Sequence, residues 1–211
     1  MAEREQTAEV GRRRIVTLAV INGLVSEIEL VRSALDRHRP EAVGIQATAV
    51  QIESMRKWNA SEEQETEFSD FDILYIREMS KFGDIHFPSP AKLFALTAAD
   101  ATGIAAVTLD IEDDAYSDLY MKHVSPYRLF VDSFSRRRRM KKSFEGSAEE
   151  VVLRLDEVAM HPRGMEKVER EREKRIGEQI LSLSAPFSVF LAVIDYERAE
   201  GVRKTMVNST V

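Results

Sequence analysis

The chain has 211 residues, 44% of them hydrophobic and 31% charged, with a formal net charge of −6 and no cysteine. That composition describes a globular chain able to bury a core. It excludes disulfides, thiolate metal sites and cysteine nucleophiles, and the acidic balance argues against a general nucleic-acid binder.

Apolar runs fall short of the roughly 20 residues that span a bilayer. Residues 1–14 are polar and charged, without the apolar segment of a secretory signal. No Gly/Ser/Pro-rich linker divides the chain. The expectation is a soluble, cytoplasmic protein with residues 1–12 disordered and residues 13–211 forming one domain.

Residues 14–21 (RIVTLAVI) are β-branched and apolar, and Asn22-Gly23 follows. A buried strand fits. Leu24, Ile28, Val31 and Leu35 recur at helical spacing, with Pro40 as the stop. Residues 42–45 form a second apolar run, and a helix is expected over 48–58. Strand, helix, strand with a short return implies a parallel sheet.

Phe71, Leu74, Tyr75, Glu78 and Met79 mark a helix, and Phe87-Pro88-Ser89-Pro90 is rigid punctuation. Residues 91–101 read as a helix with alanines for close packing and Gly103 as its cap. Residues 104–109 are a third strand. Residues 116–134 are helical in part. Ser147 with Glu150 three positions on is a capping box for a helix over 147–160. A longer helix covers 167–183, a fourth strand 187–194, and a short helix 197–206. The architecture is α/β: a mostly parallel sheet of at least four strands, helices on both faces, and a helical insertion over 113–185.

Open parallel sheets bind ligands outside the carboxyl ends of their strands. Those ends carry Asn22-Gly23, Gln46, Asp110 and Asp195. Each aspartate reads as the N-cap of a following helix, or the two together as a carboxylate pair for Mg²⁺ or for acid and base roles. His38, His86, His123 and His161 form no metal-binding spacing, and no GxSxG, GxGxxG or P-loop occurs. Arg136, Arg137, Arg138, Arg139, Lys141 and Lys142 surround Met140. They read either as a solvated loop or as a contact for an anionic partner, nucleic acid or a membrane surface. Glu166 to Arg175 alternates in sign, as an exposed helix surface or a dimer contact.

Three segments together resemble the TraB/PrgY family, related more distantly to Tiki proteases and EreA/ChaN-like proteins. They are IVTLAVINGLVSEIELVRSALDRHRPEAVGIQ (15–46), AKLFALTAADATGIAAVTLDIE (91–112) and EREKRIGEQILSLSAPFSVFLAVIDYERAEGV (171–202). They follow, in order and spacing, the family's GTxH strand and glutamate-ended strand, its LIDRD-like strand, and its ERD helix with the GxGH strand and EGI. The resemblance implies a metal-dependent hydrolytic ancestor.

The departures fall on the chemistry. Ala19 and Asn22 stand at the first glycine and histidine, and Gln46 at the glutamate. Ala91 stands at an acidic position and Ile111 at the arginine. Asp195 and Arg198 stand at the second glycine and histidine. Asp110, Arg172 with Glu173, and Glu200 with Gly201 remain. Neutral amides bind divalent metals poorly, and Arg198 brings a fixed positive charge.

The expected function is therefore a non-catalytic binding or regulatory protein, dimeric through its helical region, with no cofactor. Its pocket would hold a small polar or anionic ligand contacted by Arg198 and by the Asn22 and Gln46 amides. The alternative is a rewired hydrolase using Asp110, Glu112 and Asp195 with Mg²⁺ or Mn²⁺. A third reading is an adaptor acting through the basic run.

Overall fold

The computed structural model describes residues 3–58, 68–127, 140–160 and 163–209. Its sheet has five strands in the order β1-β2-β5-β3-β4: β1 Glu5–Val10, β2 Arg13–Val20, β3 Ala42–Ile45, β4 Ala105–Thr108 and β5 Val189–Asp195. All pairings are parallel except β1 with β2. Eight helices are present among the described residues: α1 Glu27–His38, α2 Ala49–Arg56, α3 Asp70–Met79, α4 Pro90–Thr102, α5 Asp113–His123, α6 Ala148–Ala159, α7 Met165–Leu183 and α8 Tyr196–Asn208.

β1 corrects the expectation of a disordered start. EQTAEV is polar and shows no apolar periodicity because it is an edge strand, held by main-chain pairing rather than by a buried face. Gly11, at φ +65°, opens a two-residue hairpin connection whose twist suits antiparallel strands. Arg203 of α8 donates to the Glu3 carbonyl at 2.5 Å, and Arg4 pairs with Glu27 at 2.5 Å.

β2 divides the core. Its Ile15 and Ala19 pack with residues of α3, α6, α7 and α8, whereas its Val16, Leu18 and Val20 pack with residues of α1, α2 and α4. Alternate strand residues face opposite sides, so this division is the one that helices on both faces produce. Leu24, expected on the first helix, precedes it. It bridges to Ile85 and joins the other core. On α4, Ala91, Ala95 and Ala99 are all fully buried at four-residue spacing, which brings that helix close against the sheet. Gly44 is similarly tight, since a Cβ there would stand 2.6 Å from Leu109 Cδ1 and 2.7 Å from Phe190 Cζ.

The last strand enters the middle of the sheet, between β2 and β3. Val20 pairs with Asp195, and Ile45 pairs with both Val193 and Thr108. The carboxyl ends of the four parallel strands therefore finish together. Between β4 and β5 the described residues hold α5, α6 and α7.

Candidate functional site

A cavity of about 360 Å³ opens beyond these strand ends. Asn22 and Gln46, which follow β2 and β3, form its floor. Gln51, Ser54, Met55 and Trp58 come from α2 and its end, and Phe87, Pro88, Ser89 and Lys92 from the approach to α4 and its first turn. Thr48 and Gln51 make a reciprocal capping box that fixes α2 directly after β3. Ser89 makes no such side-chain bond at α4.

Gln46 is 1% exposed. Its Oε1 accepts the backbone N–H of Asp195 at 2.8 Å. That bond also fixes the amide orientation, because an N–H requires the oxygen and not the NH₂. The Nε2 group is left buried without a partner, as is Ser89 Oγ. Buried polar groups are ordinarily paired, so two orphans on residues lining one cavity single it out as the candidate site. Lys92 Nζ lies 2.7 Å from Asp195 Oδ1, both side chains being almost wholly buried. Among the described lining residues Lys92 alone is ionisable.

Glu197 follows Asp195 on α8, and its Oε2 is buried without a partner. Burial, and next the Asp195 charge, push its carboxyl up to about 8. Tyr75 donates to the Asn22 carbonyl at 2.8 Å. Burial and then the charges of Glu197 and Asp195 raise its phenol above the usual range.

Asp110, Glu112 and Arg198 stand apart from this cavity. Arg172 of α7 grips Asp110 with Nε at 2.8 Å and Nη2 at 2.5 Å, and reaches Glu169 at 3.1 Å. Tyr116 donates to the other Glu169 oxygen at 2.9 Å. Arg198 is paired with Asp156, with Glu173 at 3.1 Å and with Glu169 at 3.5 Å. Its charge is thus spent on carboxylates of α6 and α7, and it does not line the cavity as expected. The retained Arg172 and Glu173 serve this clamp, which ties α5, α6, α7 and α8 to the end of β4.

Neither aspartate acts as a side-chain helix cap. Asp195 occupies the N-cap position of α8 without the bond. Asp110 instead accepts from its neighbour Ile111 at 2.8 Å. Glu112 takes the N–H of Ala49 at 3.0 Å, at the start of α2. Among the described residues no group of three His, Asp or Glu side chains is placed to hold a metal ion.

Arg136, Arg137, Arg138 and Arg139 lie outside the described residues. Lys141 and Lys142 are exposed, and Arg77 of α3 donates to the Lys142 carbonyl. Beside it, Glu78 accepts from the Phe144 N–H at 2.8 Å and from Lys81 at 2.6 Å. Burial would raise Glu78, but these bonds and the one from Arg77 outweigh it and hold the carboxyl at about 2.

Sequence reasoning missed Ser89, Lys92, Trp58 and Glu197. The Pro-Ser-Pro run and a lysine in the first turn of α4 were the available signals, and both resemble ordinary helix-start chemistry. No helix among the described residues is long and apolar enough to cross a membrane. The chain matches no protein-family model and no curated protein.

Proposed function

We propose that this chain is a non-catalytic binding domain, a divergent relative of the TraB/PrgY proteins that holds a small polar ligand at the carboxyl ends of β2, β5 and β3. The observation that carries this reading is the buried, unpartnered Gln46 Nε2 on the cavity floor. A buried donor without a partner costs about 1–3 kcal/mol, and a ligand acceptor would remove that cost. Lys92, paired with Asp195, stands in the lining where Arg198 was expected and supplies N–H donors, and Ser89 adds a hydroxyl. A homodimer through the helical stretch belongs to the same reading, and the exposed Met121 and Tyr127 offer apolar surface for it.

The test is a thermal-shift panel of small carbonyl compounds, carboxylates, phosphates and sugars on the full chain. A ligand of the native state raises Tm with the logarithm of its concentration over Kd once it is in excess. At least one class should raise Tm in the wild type and fail to do so in Ser89→Ala/Gln46→Glu. A panel with no response in any class would remove the reading.

A further inference from the structure

Among the polar groups of the lining, the buried ones without a partner are Gln46 Nε2 and Ser89 Oγ, and both can donate. Gln46 has already committed its oxygen to the Asp195 N–H, so the NH₂ is the unpaired half of its amide. Lys92 is donor-only, and the Ser89 hydroxyl is free to donate. An occupant that pairs these groups brings acceptors.

The charge balance then separates two kinds of acceptor. The Lys92 ammonium is the one ionisable group among the described lining residues, and it is already neutralised by Asp195 at 2.7 Å. Burial, and next the Asp195 charge, raise the Glu197 carboxyl beside this pair. An anionic ligand would add a further negative charge beside a cation that is already paired, and a buried charge without its own partner is costly. A carbonyl oxygen draws on the same donors without that cost.

The rest of the lining is apolar and flat-faced: Trp58, Phe87, Pro88 and Met55. A cavity of about 360 Å³ sits at the small end of ligand pockets. Resting on the binding reading above, we infer that the occupant is an uncharged, planar, carbonyl-bearing heterocycle of the nucleobase kind, bound edge-on to Gln46, Ser89 and Lys92 with its ring against Trp58. Carboxamide donors and aromatic faces are the groups that recognise bases elsewhere.

Trp58 is the sole tryptophan of the chain, so its fluorescence reports the cavity directly. Full-length protein would be titrated with uracil, hypoxanthine, uridine and inosine. The contrasts are uridine monophosphate and benzoate for charge, glucose for flatness, and inorganic phosphate. Saturation-transfer NMR of the same mixtures guards against optical interference. The expected result is saturable quenching by the bases or nucleosides, with the charged and non-planar probes at least tenfold weaker. Gln46→Glu keeps an acceptor for the Asp195 N–H and removes the NH₂ donors. It should weaken base binding at least tenfold, and Ser89→Ala should weaken it by a smaller factor. Quenching by benzoate, phosphate or glucose but not by bases would overturn the ligand class and leave a binding cavity. Silence from every probe would overturn both. Base binding unaffected by Gln46→Glu and Ser89→Ala would place the ligand elsewhere and also overturn the inference.

Discussion

Gln46 and Asp195, which are 149 positions apart, are joined by a single buried bond from the Asp195 N–H to Gln46 Oε1 at 2.8 Å. It spans the ends of two neighbouring parallel strands, and it also decides which half of the Gln46 amide is left unpaired. One side chain thus links the sheet to the site.

Replacing Gln46 by alanine leaves the Asp195 N–H buried and unpaired. The expected loss is about 1–3 kcal/mol, read by urea denaturation. Gln46→Glu retains an acceptor oxygen and should lose less than the alanine variant at pH 5. Equal losses in the two variants would mean that the bond contributes little to stability.

Lys92 and Asp195 form a nearly buried ion pair. Removing one member of such a pair strands the other charge, at about 3–5 kcal/mol. Lys92→Met should therefore be strongly destabilising, all the more because Glu197 lies nearby. The double variant Lys92→Met/Asp195→Asn should recover a large part of the loss. A strictly additive double variant would show that the two groups do not depend on each other.

Glu197 provides a pH test. Its carboxyl is raised from the ordinary 4.5 to about 8 in the folded protein, by burial and then by Asp195. Between those values the folded state holds a proton that the unfolded state has released. Stability from this group is therefore full below about 4.5 and is lost as pH rises toward about 8. Glu197→Gln, which cannot ionise, should flatten that slope and raise Tm at pH 8 more than at pH 5. An unchanged slope would mean that the carboxyl is ionised in the fold.

Much of this fold is legible in the sequence because burial leaves a period. The apolar runs of β2, β3 and β5, the alanine ladder of α4 and the Ser147–Glu150 box of α6 each write their structure locally. β1 does not, since an edge strand of EQTAEV is held by backbone pairing, which has no residue signature. The site was half legible. Strand ends point to Asn22, Gln46 and Asp195 by topology alone. Whether Arg198 turns toward that place or toward Asp156, Glu169 and Glu173 depends on how α6, α7 and α8 pack, and that is fixed by contacts distant in sequence. Lys92 was hidden for the same reason, since its partner lies about half the chain away.

Gly44 is a packing requirement rather than a turn. Its strand backbone is ordinary, but the space where a Cβ would stand is filled by Leu109 and Phe190. Gly44→Ala should cost about 1–3 kcal/mol through overpacking. Adding Phe190→Leu to it should relieve the clash and recover part of the loss. If Gly44→Ala is as stable as the wild type, the sheet must yield at this point more readily than close packing allows.

Metal addition separates binding domain from carboxylate enzyme. Both oxygens of Asp110 are taken by Arg172, Asp195 Oδ1 by Lys92, and Glu112 Oε1 by the Ala49 N–H. A divalent ion would have to displace a guanidinium from a bidentate grip to reach Asp110, and bidentate charge-assisted pairs are among the stronger polar contacts. Chelator-treated protein should therefore show the same Tm with and without Mg²⁺, Mn²⁺, Zn²⁺ or Ca²⁺. Arg172→Leu, which frees Asp110 and removes one partner of Glu169, should lower Tm sharply in the absence of metal, and added Mn²⁺ should then return part of it by taking the place of the lost cation. A rise in the wild type with Mg²⁺ or Mn²⁺ that disappears in Asp110→Asn would instead favour a hydrolase built on these carboxylates, with Arg172 as a gate that the metal opens.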